Sequence, residues 1–180
     1  LADRIFIAVT DGSSGCTILK ERGGERVKAK KFEFLEFDCL SDGEIELVCK
    51  AKIPENKATG YVPIYLFEIR RSSDKEVVGR IDIRIGFNEN VYYIGNIGYI
   101  IDEKHRGHNY ATKACRIIKQ VALAHGMNSL LITTNPDNIP SRKTCEKIGA
   151  KLMEIVDVPP YNELYFRGER QKCIYRWELD

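Results

Sequence analysis

The sequence predicts an α+β domain: a mixed, mostly antiparallel sheet flanked by helices, with a βαβ unit at its centre. Three observations predict it. Residues 61–101 read as three strands joined by short turns. The apolar period then changes from 2 to 3.6 over a stretch that stops at His125-Gly126. A short apolar strand, a second helix and two further strands complete the chain.

Taken in order, residues 1–25 are the least determined segment, with loop chemistry at Asp11–Gly15 and Gly23-Gly24 and a short apolar run, Ile5–Val9. That run suits a short strand and is too short for a membrane span or a signal sequence. Phe32 and Phe34 interleave with Glu33 and Glu36, an imperfect strand pattern over Lys31–Asp38. Ile45, Leu47 and Cys49 alternate with Glu44, Glu46 and Lys50, which predicts a strand over Glu44–Ile53. Tyr61–Arg70 and Val77–Ile85 follow as strands about a Ser72–Lys75 turn. Asn88-Glu89-Asn90 reads as a second turn and Tyr92–Ile101 as the third strand.

Ala111, Ala114, Cys115, Ile118, Val121 and Ala122 then fall on one helical stripe. Leu130–Thr134 is a short apolar strand, so strand, helix and strand predict parallel pairing of Leu130–Thr134 with Tyr92–Ile101. A second helix starts at Asn138, with Pro140 in its first turn and Gly149 at its end. Lys151–Val158 and Lys172–Leu179 are the last strands.

With 180 residues, 43% hydrophobic and 30% charged, the chain suits one domain with one core, expected over 1–180. Its 28 basic and 26 acidic side chains are too balanced for a nucleic-acid or membrane surface. The six cysteines show no metal-like spacing and the three histidines no ligand pattern, so no metal is expected. The cysteines read as reduced thiols of a cytoplasmic protein, most of them buried.

The segment 102–112, Asp-Glu-Lys-His-Arg-Gly-His-Asn-Tyr-Ala-Thr, joins a strand to the amphipathic helix. A glycine-containing turn that opens a helix presents unpaired N–H groups at the positive end of the helix dipole, which suits phosphate. By itself such a junction is common and binds nothing in most proteins. A nucleotide-phosphate module could use it too, although no complete Walker loop or dinucleotide fingerprint is present.

Arg106-Gly107-His108-Asn109-Tyr110-Ala111 resembles the pyrophosphate loop of the GNAT (GCN5-related N-acetyltransferase) superfamily: Arg/Gln, two residues, Gly, one residue, Gly/Ala. The preceding Gly95–Asp102 resembles its cofactor strand. Asn138–Ala150 resembles its second motif, Asn-x-x-Ser followed by Glu-Lys-x-Gly. The likeness covers about 61–180 and is nearest to the branch of ribosomal-protein N-terminal acetyltransferases. The family's central loop glycine is Asn109 here, the non-glycine residue type that best tolerates a left-handed conformation.

The resemblance implies an N-acetyltransferase moving an acetyl group from acetyl-CoA to a primary amine by direct attack. A catalytically silent acyl-CoA sensor is the alternative. It implies backbone pairing of Tyr99, Ile100 and Ile101 with the pantetheine arm. Arg106, Gly107, His108, Asn109, Tyr110, Ala111 and Thr112 would surround the pyrophosphate, and Asn138 and Ser141 would meet the pantetheine. For those last two, helix capping is the competing reading. Acceptors would be a small-molecule amine or a protein N-terminus, with a homodimer left open.

Cys145 stands where many members place a tyrosine that protonates the departing thiolate. Packing, water-mediated proton donation and a nucleophilic role all stay open for it. Its mid-helix position and shared face with Ile148 favour packing. Asn96 lies where relatives carry a helpful polar or acidic residue, and could at most hold a water. Glu68, Asp82 and Glu154 are the carboxylates on the inner strands, each also readable as a strand-face charge. Tyr61, Tyr65, Tyr92, Tyr93, Tyr161 and Tyr165 flank the expected cleft, and Val158–Gly168 is expected to loop over its acceptor side.

Overall fold

The computed structural model describes residues 32–37 and 40–179. The chain divides into two units, Leu1–Leu35 and Glu36–Asp180. Of the first, the rings of Phe32 and Phe34 meet edge to face, 5.0 Å apart. The expectations for residues 1–25, and for a single domain running from residue 1, lie outside the described residues.

The second unit is α+β. Strand β1 (Ile45–Ile53) pairs antiparallel with β2 (Ile64–Arg71), β2 with β3 (Val77–Arg84), and β3 with β4 (Ile97–Ile101). Alternation decides their faces. Ile45, Leu47, Tyr65, Phe67, Ile69, Ile81 and Ile83 are buried on one side, while charged neighbours pair on the other. Helix α1 (Glu89–Ile94) lies between β3 and β4 in the chain. Helix α2 (Tyr110–Ala124) packs its apolar stripe on β1, β3 and β4. A second antiparallel sheet has the order β5 (Ser129–Thr134), β7 (Gln171–Glu178), β6 (Lys151–Asp157). Helix α3 (Ile139–Ile148) packs on α2 and β5, and the short α4 (Glu163–Phe166) interrupts the 158–168 segment. Cys115, Cys145 and Cys173 are buried free thiols.

Three expectations are corrected. Residues 32–37 form no strand; alternation there specifies two faces but no partner, although Phe37 does pack edge to face on Tyr65. Tyr92–Ile101 is not one strand, because Val91–Ile94 is helical. Asn88, read as a turn residue, caps α1 by accepting from Val91 N at 2.9 Å, and Gly95 ends it at φ +78°. That cap overrides the strand preference of Val91, Tyr92, Tyr93 and Ile94.

The third correction concerns β4 and β5, which are not ladder partners: they belong to different sheets. Their junction is at Asn96, whose N–H donates to Leu131 O at 2.6 Å and whose Oδ1 accepts from Leu131 N at 2.8 Å. A side chain at Gly95 would stand 3.0 Å from Thr133 N, so only glycine lets the chains approach there. Beyond this contact β4 follows β3, and β5 follows β7. The single mixed sheet is therefore two antiparallel sheets with a cleft between them.

Candidate functional site

The cleft encloses about 1180 Å³ and is lined by β4, the turn into α2, the end of β5, the first turns of α3, and α4. Among the described residues, strand β4 has a ladder partner on one side only, β3. Asp102 N donates to Val78 O, and Ile100 O lies against Gly79 of β3. Period-two geometry therefore turns the backbone groups of Tyr99 and Ile101 to the open edge, and those of Ile100 to β3. Consistent with this, Ile101 O accepts from Arg106 Nε at 3.3 Å. Of the three expected strand residues, two present their backbone to the cleft.

The turn that follows has two left-handed residues, Gly107 at φ +87° and Asn109 at φ +59°. Asn109 is the N-cap of α2 but makes no side-chain capping bond. Its Oδ1 instead accepts from Lys147 Nζ. The first-turn amides of α2, Tyr110, Ala111 and Thr112, therefore face the cleft without a side-chain cap. Arg106 and Gly107 line the same end. His108 does not: it stacks on Tyr110, with ring centroids 5.4 Å apart.

Asn138 caps α3, its Oδ1 accepting from Ser141 N at 3.2 Å, and both residues line the cleft. Capping and exposure to the cleft thus coexist at Asn138. Ser141 Oγ meets the Tyr99 hydroxyl at 3.0 Å, and burial pushes that phenol up to about 12. Lys143 and Lys147 also line this wall; their spacing of four in the second motif could have announced a basic helix face.

The two residues expected to take part in catalysis lie elsewhere. Asn96 is fully buried: its Nδ2 donates to Arg84 O and Gly86 O, both at 2.9 Å, and its Oδ1 is taken by Leu131 N. Every polar atom of that side chain is used in joining β3, β4 and β5. Cys145 is fully buried away from the cleft lining, and burial pushes its thiol up to about 12.

The inner-strand carboxylates are likewise not at the cleft. Glu68 pairs with Arg70 on its own strand, and Glu154 accepts from the Tyr92 hydroxyl at 2.8 Å. Asp82 is held above the ordinary carboxylate range by burial; Arg84 Nη1 stands 2.8 Å from its Oδ2 without the alignment of a hydrogen bond.

Towards α4 the cleft adds charged residues that no sequence motif singled out. Glu163 and Arg167 of the 158–168 segment form an ion pair there, and Tyr61 donates to Glu163 at 3.1 Å. Arg167 and Tyr61 hold the Glu163 carboxyl below its ordinary value. Asn135, Glu169 and Lys172 also line the cleft. Glu163 with Arg167 and Glu169 with Lys172 are local pairs, four and three residues apart; only the fold brings them into one cleft with Tyr61 and Asn135. Of the six tyrosines expected beside the cleft, Tyr61 lines it, whereas Tyr65 is in the core with its hydroxyl 2.8 Å from His125 Nε2.

Solved structures share this fold. The microcin C7 self-immunity acetyltransferase MccE, crystallised with acetyl-CoA and AMP, matches at 18% identity and TM-score 0.51, covering 64% of this chain and 61% of its own. The ribosomal-protein-S5-alanine acetyltransferase of Vibrio fischeri matches at 18% and 0.52, covering 65% and 62%. This chain thus spans less than two thirds of either. An acetyltransferase of Agrobacterium tumefaciens matches at 16% and 0.56, covering 84% of this chain and 100% of its own. A search of the curated proteins finds no match. The sequence model of the acetyltransferase (GNAT) domain matches residues 31–151, well over half the chain, and with the open β4 edge and uncapped α2 terminus already in place, the chain belongs to the GNAT acetyltransferase family.

Proposed function

We propose that this protein is an N-acetyltransferase that moves acetyl from acetyl-CoA to a primary amine by direct attack. The observation that carries the reading is one continuous surface: an unpaired strand edge that runs into the uncapped N-terminus of a 15-residue helix. The edge at Tyr99 and Ile101 offers the alternating donors and acceptors that an amide-bearing pantetheine arm pairs with, as an added strand would. The amides of Gly107 to Thr112, with Arg106 and Lys147 beside them, suit a pyrophosphate. The complex of MccE with acetyl-CoA supports the same assignment.

When bound, acetyl-CoA supplies an acetyl group activated as a thioester. The residues of this chain then have two tasks: to place an amine beside that group, and to accept the proton that the amine gives up. Most of the rate in such a site comes from positioning and from preorganised hydrogen-bond donors. Cys145, buried and neutral, packs α3 and takes no covalent part.

The test is a calorimetric titration with acetyl-CoA, CoA and ATP, followed by thiol release from acetyl-CoA with an amine and peptide panel. We expect acetyl-CoA to bind and raise the melting temperature, by about 2.7 kcal/mol of stabilisation at one hundred times its Kd. Preference for ATP would point to a nucleotide module. Binding without turnover on any amine would point to a silent sensor.

A further inference from the structure

Where the second sheet meets the cleft, the β5–β7 register pairs Thr134 with Cys173 and so brings Asn135 and Lys172 to the same end of that sheet. Both line the cleft, as does Glu169. Three features distinguish this group. Asn135 Oδ1 is buried and has no hydrogen-bond partner among the described residues. Lys172 is charged yet 7% exposed, and its ammonium is paired with Glu169. Glu169 is itself mostly buried, its side chain 21% exposed.

A buried carbonyl oxygen without a donor is costly unless a ligand supplies one. A primary amine carries N–H groups to supply. A buried lysine is tolerated only when paired, and here the pairing sets a carboxylate beside the cleft. Each carboxylate around this part of the cleft has a basic partner: Asp82 has Arg84, Glu163 has Arg167 and Glu169 has Lys172. Of the three, Glu169 is the one whose partner comes to the same sheet end as Asn135, and a carboxylate can accept from an ammonium as well as from Lys172.

Resting on the acyl-transfer reading above, we propose that Asn135 and Glu169 form the acceptor-amine subsite, with Glu169 as the general base and Lys172 as the residue that positions it. The ammonium is held by Asn135 Oδ1 and the Glu169 carboxylate. Its N–H bond breaks, and the proton passes to Glu169, which becomes neutral. The freed lone pair forms the N–C bond to the acetyl carbonyl carbon, the C–S bond breaks, and the sulfur leaves with the electron pair. The second proton lost by the nitrogen goes to that thiolate, so amide, thiol and one proton held on Glu169 account for every atom.

The test measures acetyl-CoA Kd by calorimetry, amine binding to the CoA-bound protein, and kcat and KM across pH, with small aliphatic amines and peptides beginning with Ser, Ala or Met. Asn135→Ala should raise the amine Kd and KM about tenfold, the loss of one buried hydrogen bond, and leave acetyl-CoA Kd unchanged. Glu169→Gln should lower kcat by roughly a hundredfold or more and remove the acidic limb of the kcat/KM profile. Because Glu169→Gln leaves Lys172 unpaired, the double variant Glu169→Gln with Lys172→Met removes both charges and should show the same loss in a folded protein. Lys172→Met alone should lower kcat and Lys172→Arg should restore it, while acetyl-CoA Kd holds in both.

Wild-type kcat in the double variant, or an Asn135→Ala variant that weakens acetyl-CoA instead of the amine, overturns this assignment and leaves acyl transfer standing. Acetyl-CoA binding by wild type without turnover of any amine overturns the acyl-transfer reading, and this assignment falls with it.

Discussion

Replacing Asn96 by Ala tests how the two sheets are joined. The side chain makes three hydrogen bonds from a fully buried position: two to the carbonyls of Arg84 and Gly86, and one from the amide of Leu131. Alanine leaves all three backbone groups buried and without that partner. Each such group costs about 1–3 kcal/mol, so the sum is roughly 3–9 kcal/mol. Relaxation and water entry favour the lower end of that range, about 3–5 kcal/mol. A domain of this size has only about 5–15 kcal/mol in total. At roughly 2–4 °C per kcal/mol, the melting temperature should fall by about 6–20 °C. Urea unfolding at 15 °C, followed by fluorescence of Trp177, gives the free energy directly. In the fraction that stays folded, kcat should change far less than stability, because Asn96 does not line the cleft. A stability loss below 1 kcal/mol, or a thousandfold loss of kcat in a protein as stable as wild type, would refute this reasoning and return Asn96 to the chemistry.

Three further outcomes are expected. Gly107→Val forces a β-branched residue to φ +87°, a strain of about 1–3 kcal/mol, and should weaken acetyl-CoA at least about tenfold in titration calorimetry; an unchanged Kd contradicts the loop assignment. Cys145→Ala removes a buried, neutral thiol, should cost about 1 kcal/mol of stability, and should lower kcat by less than about tenfold; an acetyl adduct on Cys145 in intact-mass spectra after acetyl-CoA alone would establish a covalent route instead. His125 is held below its ordinary value by burial, so the fold favours its neutral form. Its contribution is therefore present above the unfolded value of 6.5 and is lost as pH falls through the lower folded value. The urea midpoint of wild type should drop on acidification through that window and that of His125→Gln should drop less; equal slopes contradict this.

Local chemistry made much of this protein legible before its fold. Period-two alternation located β1, β3 and β7 to within a few residues, aromatic and β-branched composition located β2, and the 3.6 period with its His125-Gly126 stop located α2. The Asn138 cap, Pro140 and Gly149 bounded α3 because each acts within one turn of the backbone. Asn109, in place of glycine, takes the left-handed conformation its short amide side chain tolerates. All of these are interactions between residues at most a few positions apart, which is why sequence patterns carry them.

What only the tertiary structure decided involves residues distant in the chain. The strand preference of Val91–Ile94 lost to a cap at Asn88, and a reading by alternation alone could not weigh the two. Which strand lies beside β5 depends on where β7 inserts, some forty residues later, so the parallel pairing expected of a strand–helix–strand unit gave way to two sheets. Asn96 reads as a polar residue near a cofactor strand, yet its partners Arg84, Gly86 and Leu131 make it a joint. Glu169 and Lys172 carry no motif, and neither does Asn135. Their meaning comes from burial, which makes a charge keep a partner and an orphaned carbonyl await one, and burial is a property of the folded chain alone.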